Sequence, residues 1–286
     1  FVSDEDLSAD AMVDGGDSVD VVRMNTNTEM LALEDSDFTN VKNMETLDLA
    51  GTGVQSVTLG AATSAAFSRG ITIQTQALAT SLNLQGSDLT VAIDVTGTDN
   101  SDTLIGGSGD DVFTFASAEQ LSADASVDGG GGTDAITMNT DAATLALVDT
   151  DFENVTGMEV LDLSGTGAQS VTLGARTNAA FASGVKIETQ AAAASLNLQG
   201  AASTVAVRAT GTNSDDTLVG GSGADTLIGG GGADTITGGL GADFLLGGDG
   251  NDVFTYALSI ALVADASVDG GDGVDTISVD ASAGLL

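Results

Sequence analysis

The chain has 286 residues, 42 acidic against 6 basic side chains, a formal net charge of −36 and 42% hydrophobic residues. That charge excludes phosphate and nucleic-acid binding and is repelled by anionic membranes, while the apolar share excludes disorder from lack of core material. Cys and His are both absent, so there is no disulfide framework, no thiolate nucleophile and no Cys/His zinc site.

Taken in order, the chain is a set of repeats. VDGGDSVDVVRMNT begins at Val13, returns at Val127 as VDGGGGTDAITMNT after 114 residues, and opens a third time at Val268 as VDGGDGVDTISVD. The third interval is longer by 27 residues, three units of nine, as expected of units that stack. The repeat divides the chain into a first β module over 1–114, a second over 115–255 and the start of a third over 256–286. The chain opens on Phe1 without a visible leader, which reads as a processed protein or a fragment.

Within residues 11–114, apolar residues alternate with polar ones over short runs: Leu47 and Leu49, Val57 and Leu59, Ile71 and Ile73, Leu82 and Leu84, and Val91, Ile93 and Val95. This period of two predicts short strands, separated by Gly, Thr, Ser and Asn turns such as 50–53 and 85–88. AATSAAFSRG (61–70) and its counterpart ARTNAAFASG (175–184) predict a helical turn or two. SAEQLSAD (117–124) predicts a short helix opened by Ser117. DSDFTN (35–40) and DTDFEN (149–154) read either as calcium loops of alternating Asp oxygens or as Asx-turns before a strand. Phe1, Phe115 and Tyr256 fall at equivalent repeat positions and read as core.

Residues 211–255 divide into five nines: GTNSDDTLV, GGSGADTLI, GGGGADTIT, GGLGADFLL and GGDGNDVFT. Position six is Asp, and position eight is large and apolar: Leu218, Leu227, Ile236, Leu245 and Phe254. The pattern GGxGxDxUx predicts a parallel β-roll closed by calcium. Glycine allows the tight turn and lets carbonyls converge, and Asp supplies a hard anionic oxygen. A short tract of the same kind covers 97–114, and residues 89–115 pass from strands into it with no linker. This favours an all-β, right-handed parallel β-solenoid with calcium β-roll segments over β-sandwich modules bridged by short rolls.

These tracts resemble the RTX (repeats-in-toxin) family of secreted bacterial proteins. FENVTGMEVLDLSGTGAQSVTLG (152–174) is similar to repeat modules of RTX-bearing surface-layer and adhesin-like proteins. The resemblance implies several calcium ions, each held between one turn and the turn two units later. Carried onto this chain, the position-six ligands are Asp216, Asp225, Asp234, Asp243 and Asp252 in the long tract, and Asp102 and Asp111 in the short one. In the isolated repeats they are Asp20, Asp134 and Asp275. Polar position-five residues are Asp215, Asn251 and Asp110. The glycine carbonyls implied are those of Gly220, Gly221, Gly223, Gly229, Gly230, Gly232, Gly238, Gly239, Gly241, Gly247, Gly248 and Gly250. Units one and three, two and four, and three and five pair, implying about three ions within 211–255. The short tract has no such pair and must borrow a turn from flanking sequence. GGDSVDVVR (15–23) departs from the pattern with Ser18 at position four and Arg23 at position nine.

Neither HExxH, GxSxG nor GxxxxGK[ST] occurs. Every acidic cluster belongs to a repeated turn, whereas a catalytic site is usually unique, so no enzyme is expected. The expected role is a calcium-stabilised structural protein at the bacterial cell surface, secreted by the type I route and self-associating into a layer or filament. Neither nucleic acid nor membrane insertion enters this reading. The alternatives are the stalk of an RTX adhesin and the calcium-folding secretion region of a larger toxin or hydrolase. The end DASAGLL loosely resembles a type I secretion tail, or is an arbitrary cut.

Overall fold

The computed structural model describes residues 1, 7–10, 12–25, 30–76, 79–140, 144–257 and 264–280; most of the C-terminal tail lies outside them. Two compact units are present: Phe1–Phe115 with Glu119–Thr137 and Asn154–Met158, and Ala116–Ala118 with Met138–Glu153 and Glu159–Leu286.

A strand of three to five residues with one apolar face must be covered by copies of itself above and below. Each unit meets that need with two parallel sheets. In the first, one sheet runs through Val21–Met24, Thr46–Leu49, Ile71–Thr75, Ile93–Thr96, Val112–Phe115 and Ala135–Met138. The other runs through Leu31–Leu33, Val54–Thr58, Ser81–Gln85, Thr103–Ile105, Ser126–Asp128 and Val155–Thr156. In the second unit, Val160–Leu163, Val185–Thr189, Val207–Thr210, Thr226–Gly231, Phe244–Asp249 and Ser267–Asp272 form one sheet. Leu145–Leu147, Ala168–Thr172, Ser195–Gln199, Thr217–Gly221, Thr235–Gly239, Val253–Tyr256 and Thr276–Val279 form the other. Strand pairing is parallel throughout the described residues. Successive strands alternate between the two sheets, which is a β-solenoid and excludes sandwich modules, whose sheets are antiparallel.

Register holds because a slip of one residue would turn each apolar set outward. Val22 lies against Leu47, Leu47 against Ile73, Ile73 against Val95 and Val95 against Phe113. In the second unit Leu198, Leu218, Ile236 and Phe254 make the same kind of lane, and all five position-eight residues of the long tract are buried.

Helix α1 (Ala61–Ala66), helix α2 (Ala118–Ala123) and helix α3 (Ala175–Ala180) occupy the three expected segments. After α1, Phe67 meets Phe38 edge-on at 5.8 Å, and after α3 Phe181 meets Phe152 in the same way. Two expectations need correcting. Phe115 and Tyr256 are core, but Phe1 is 38% exposed. Val91 lies in the bend before its strand, which begins at Ile93.

Candidate metal-binding turns

The nonapeptide turns lie between strands of opposite sheets, so turns two units apart are stacked on one edge. On one edge of the second unit stand Asp216, Asp234, Asp252 and Asp275; on the other stand Asp225 and Asp243. Each carboxylate reaches back to the coil before it. Oδ1 of Asp234 accepts the main-chain N–H of Asp216 at 2.8 Å, Asp243 that of Asp225 at 2.9 Å, and Asp252 that of Asp234 at 2.8 Å. Asp275 accepts from Asp252 at 3.0 Å. The backbone therefore brings together units one and three, two and four, and three and five, and adds the isolated repeat at Asp275. The columns begin on strand amides: Leu196 N–H donates to Asp216 at 2.6 Å and Val207 N–H to Asp225 at 2.8 Å.

In the first unit Asp111 N–H donates to Asp134 at 2.8 Å, so the second turn of the short tract borrows the isolated repeat. Asp102 N–H donates at 3.0 Å to Asp124, a residue outside any nonapeptide. Asp20 stands apart, since its N–H donates to Glu45 Oε2 at 3.0 Å and no nonapeptide Asp lies above it.

The second carboxylate oxygen separates two kinds of turn. In the opening turns it accepts the N–H of position two of its own unit: Thr98 to Asp102 at 2.6 Å, Gly107 to Asp111 at 2.7 Å, Thr212 to Asp216 at 2.5 Å and Gly221 to Asp225 at 2.7 Å. In the following turns Gly230, Gly239 and Gly248 take φ of +113°, +106° and +115°, a region that L side chains avoid. Oδ2 of Asp234, Asp243 and Asp252 is then buried with no hydrogen-bond partner. Position one closes the cradle. A Cβ on Gly229 would strike Asp234 Oδ2 and the Gly247 carbonyl, and one on Gly247 would strike Asp252 Oδ2 and the Gly270 carbonyl. A Cβ on Gly220 would likewise meet Asp225 Oδ2 and the Gly238 carbonyl.

Position-five side chains act across coils. Asp215 accepts from Ala233 N–H at 2.7 Å, Asn251 from Val274 N–H at 2.8 Å and Asp110 from Thr133 N–H at 2.8 Å. One carboxyl oxygen of each Asp, and the amide oxygen of Asn251, is thereby committed to the backbone of the next turn.

A bare buried carboxylate is costly in its charged form, which favours the protonated one. Burial, then the charges of Asp216, Asp252 and Asp215, push Asp234 up to about 7. Burial, with the charges of Asp225 and Asp265, pushes Asp243 up to about 6. Burial also raises Asp111, Asp216 and Asp225. A divalent cation would remove that cost. The donors offered are hard oxygens only, a carboxylate with converging glycine carbonyls, which fits calcium and suits no soft metal. Among the described residues no three Asp or Glu side chains gather as a ready metal cluster, so carbonyls must supply the remaining ligands.

Register reasoning missed Asp124. The signal was present in the sequence as ADA followed two residues later by VDGG, at Asp10, Asp124 and Asp265. In the segments DSDF and DTDF the first Asp serves the start of a helix. Asp35 accepts the N–H groups of Ala62 and Thr63 at 3.0 and 2.8 Å and the Thr63 hydroxyl at 2.7 Å, which caps α1. Asp149 does the same for α3 through the N–H groups of Arg176 and Thr177 at 3.1 and 2.9 Å and the Thr177 hydroxyl at 2.9 Å. Burial alone would raise both carboxyls; these donors outweigh it and hold them below the ordinary value.

Both tracts match a known family model, the RTX calcium-binding nonapeptide repeat (4 copies), over residues 95–114, 210–245 and 234–256. No curated protein and no solved structure matches the chain. The tracts are RTX-type repeats and bind calcium at multiple sites.

Proposed function

We propose that this RTX-type calcium-binding chain is a structural piece of the bacterial exterior, a calcium-rigidified solenoid that forms or joins a surface layer or filament. RTX repeat proteins are typically secreted, and no helix among the described residues is long and apolar enough to cross a membrane. In this reading the chain carries no catalytic site, takes neither nucleic acid nor membrane lipid as partner, and associates with copies of itself.

One observation supports the structural role. The apolar lane runs in unbroken parallel register from Leu198 through Leu218 and Ile236 to Phe254, so nonapeptides lengthen the stack by whole coils without shifting it, and a repeated coil offers the same contact to each copy.

The test is assembly of the purified chain in millimolar (roughly) calcium, followed by light scattering and electron microscopy. Ordered layers or filaments are expected, and excess chelator should disperse them. Monodisperse monomers at high concentration would overturn the reading and favour an adhesin stalk. A catalytic domain elsewhere in the same polypeptide would favour a secretion region of a toxin or hydrolase.

A further inference from the structure

Helix α2 stands where a glycine turn would otherwise be. The turn beneath it, GTDNSD (97–102), is the counterpart of GTNSDD (211–216), and the two hold their last Asp alike. Thr98 N–H donates to Asp102 Oδ2 at 2.6 Å and Thr212 N–H to Asp216 Oδ2 at 2.5 Å. Above 211–216 lies the nonapeptide turn that ends in Asp234. Above 97–102 lies α2, with Asp124 just past its last residue. The two carboxylates do the same things. Oδ1 of Asp234 caps Asp216 N–H at 2.8 Å, and Oδ1 of Asp124 caps Asp102 N–H at 3.0 Å. Oδ2 of each is buried and has no hydrogen-bond partner. Asp124 is 2% exposed and Asp102 1%.

We infer that Asp124 and the turn 97–102 form a further calcium site, in which a carboxylate delivered by a helix replaces the position-six Asp of a nonapeptide. Calcium tolerates such a substitution because it asks for oxygens in a flexible shell and not for one fixed geometry. The neighbourhood holds Asp124 in place. Ala125 N–H donates to the Asp102 carbonyl at 2.8 Å, and Asn154 Nδ2 donates to the Asp124 carbonyl at 2.9 Å.

The third copy supplies an internal contrast. There the equivalent of Asp124 is Asp265, and Tyr256 donates its hydroxyl to Asp265 Oδ2 at 2.7 Å. The residue equivalent to Tyr256 is Phe115, which has no hydroxyl to give. The same carboxylate position is thus satisfied by a phenol in one copy and left bare in the other.

The experiment counts calcium bound to the full chain by equilibrium dialysis, for the parent, Asp124→Asn and Phe115→Tyr. Asn keeps the oxygen that caps Asp102, and Tyr copies the arrangement of the third copy. Each variant should bind one ion fewer per chain with an unchanged circular dichroism spectrum in calcium. Phe115→Tyr should also melt above the parent in chelator, because its hydroxyl satisfies the bare oxygen without metal. Unchanged stoichiometry in both variants would overturn the site and leave Asp124 a buried acid. Should Asp124→Asn fail to fold, terbium-loaded crystals of the parent decide the matter: an anomalous peak bonded to Asp124 Oδ2 supports the site, and none there overturns it. Asp234→Asn, measured beside them, reports on the nonapeptide sites and separates a failure at Asp124 from a failure of calcium binding altogether.

Discussion

Asp234 hands one carboxylate oxygen to the N–H of Asp216, 18 residues earlier at 2.8 Å, and keeps the other buried and bare. The first contact ties coil to coil; the second makes that tie depend on a cation. Binding energy here is folding energy, since the stacked turns do not exist in the unfolded chain. At free calcium about 100-fold above its Kd, a single site adds about 2.7 kcal/mol to stability. With several sites, chelation should lower the melting temperature by more than about 10 °C. Thermal melts followed by circular dichroism, with calcium and with excess chelator, check this. Coincident melts would show that the bare oxygens are satisfied without metal.

Asp234→Asn should act in opposite directions in the two states. Asn keeps an oxygen for Asp216 N–H but removes a buried charge facing Asp216, Asp252 and Asp215. In chelator the variant should melt at or above the parent, and in calcium below it. The same logic sets the pH response. The folded-state pKa values of Asp234 and Asp243, about 7 and about 6, lie above their ordinary value of 3.8. The folded form therefore binds protons more tightly than the unfolded one. Their contribution is fully present below about pH 4 and is lost as pH rises through 6 to 7. Metal-free protein should accordingly melt higher at pH 5 than at pH 8, with a shallower slope in Asp234→Asn. In excess calcium protons compete with metal, so the slope should reverse.

Two glycine variants separate the stacked turn from an ordinary one. A Cβ on Gly247 would collide with the Gly270 carbonyl and the Asp252 carboxylate, and backbone of the next coil cannot move aside. Gly247→Ala should cost several kcal/mol, on the order of a severe overpacking mutation. Gly131 has no atom within 4 Å of an added Cβ and no positive φ, so Gly131→Ala should lie within about 0.5 kcal/mol of the parent. Urea unfolding in calcium measures both. Equal effects would mean that close approach at position one is not what the glycine serves.

The fold was legible in the sequence because it is written twice over, in a nine-residue and a 114-residue period. Alternation at Leu47, Leu49, Ile71 and Ile73 marks the inward face, and the glycine spacing marks the turns. Less legible was which oxygens would be free. Asp225 and Asp234 occupy the same nonapeptide position, yet Asp225 closes on Gly221 N–H and Asp234 does not. That difference accompanies the φ of position two, positive at Gly230 and not at Gly221, although both are glycine. Asp215, Asn251 and Asp110 read as polar ligands at position five, but cross-coil amides claim an oxygen of each. Asp124 was hidden because it lies outside the nine-residue register, where the only sequence signal is its recurrence at Asp10 and Asp265.

The capping aspartates give a prediction that distinguishes structure from metal binding. Asp149 receives two amide N–H groups and a hydroxyl at the start of α3, and Arg176 lies nearby with its guanidinium 3.8 Å from the carboxylate. A cap of this kind stabilises by about 0.5–2 kcal/mol. Asp149→Ala should therefore destabilise by about that amount in calcium and in chelator alike, with calcium stoichiometry unchanged. Its pH response runs opposite to that of Asp234. The folded carboxyl is held below its ordinary value, so its contribution is present above the unfolded pKa and is lost as pH falls through the folded one. The parent should lose that increment in acid and the variant should not. A fall in bound calcium with Asp149→Ala would instead make DTDF a ligand loop, and Asp35→Ala in the first module would be expected to repeat that result.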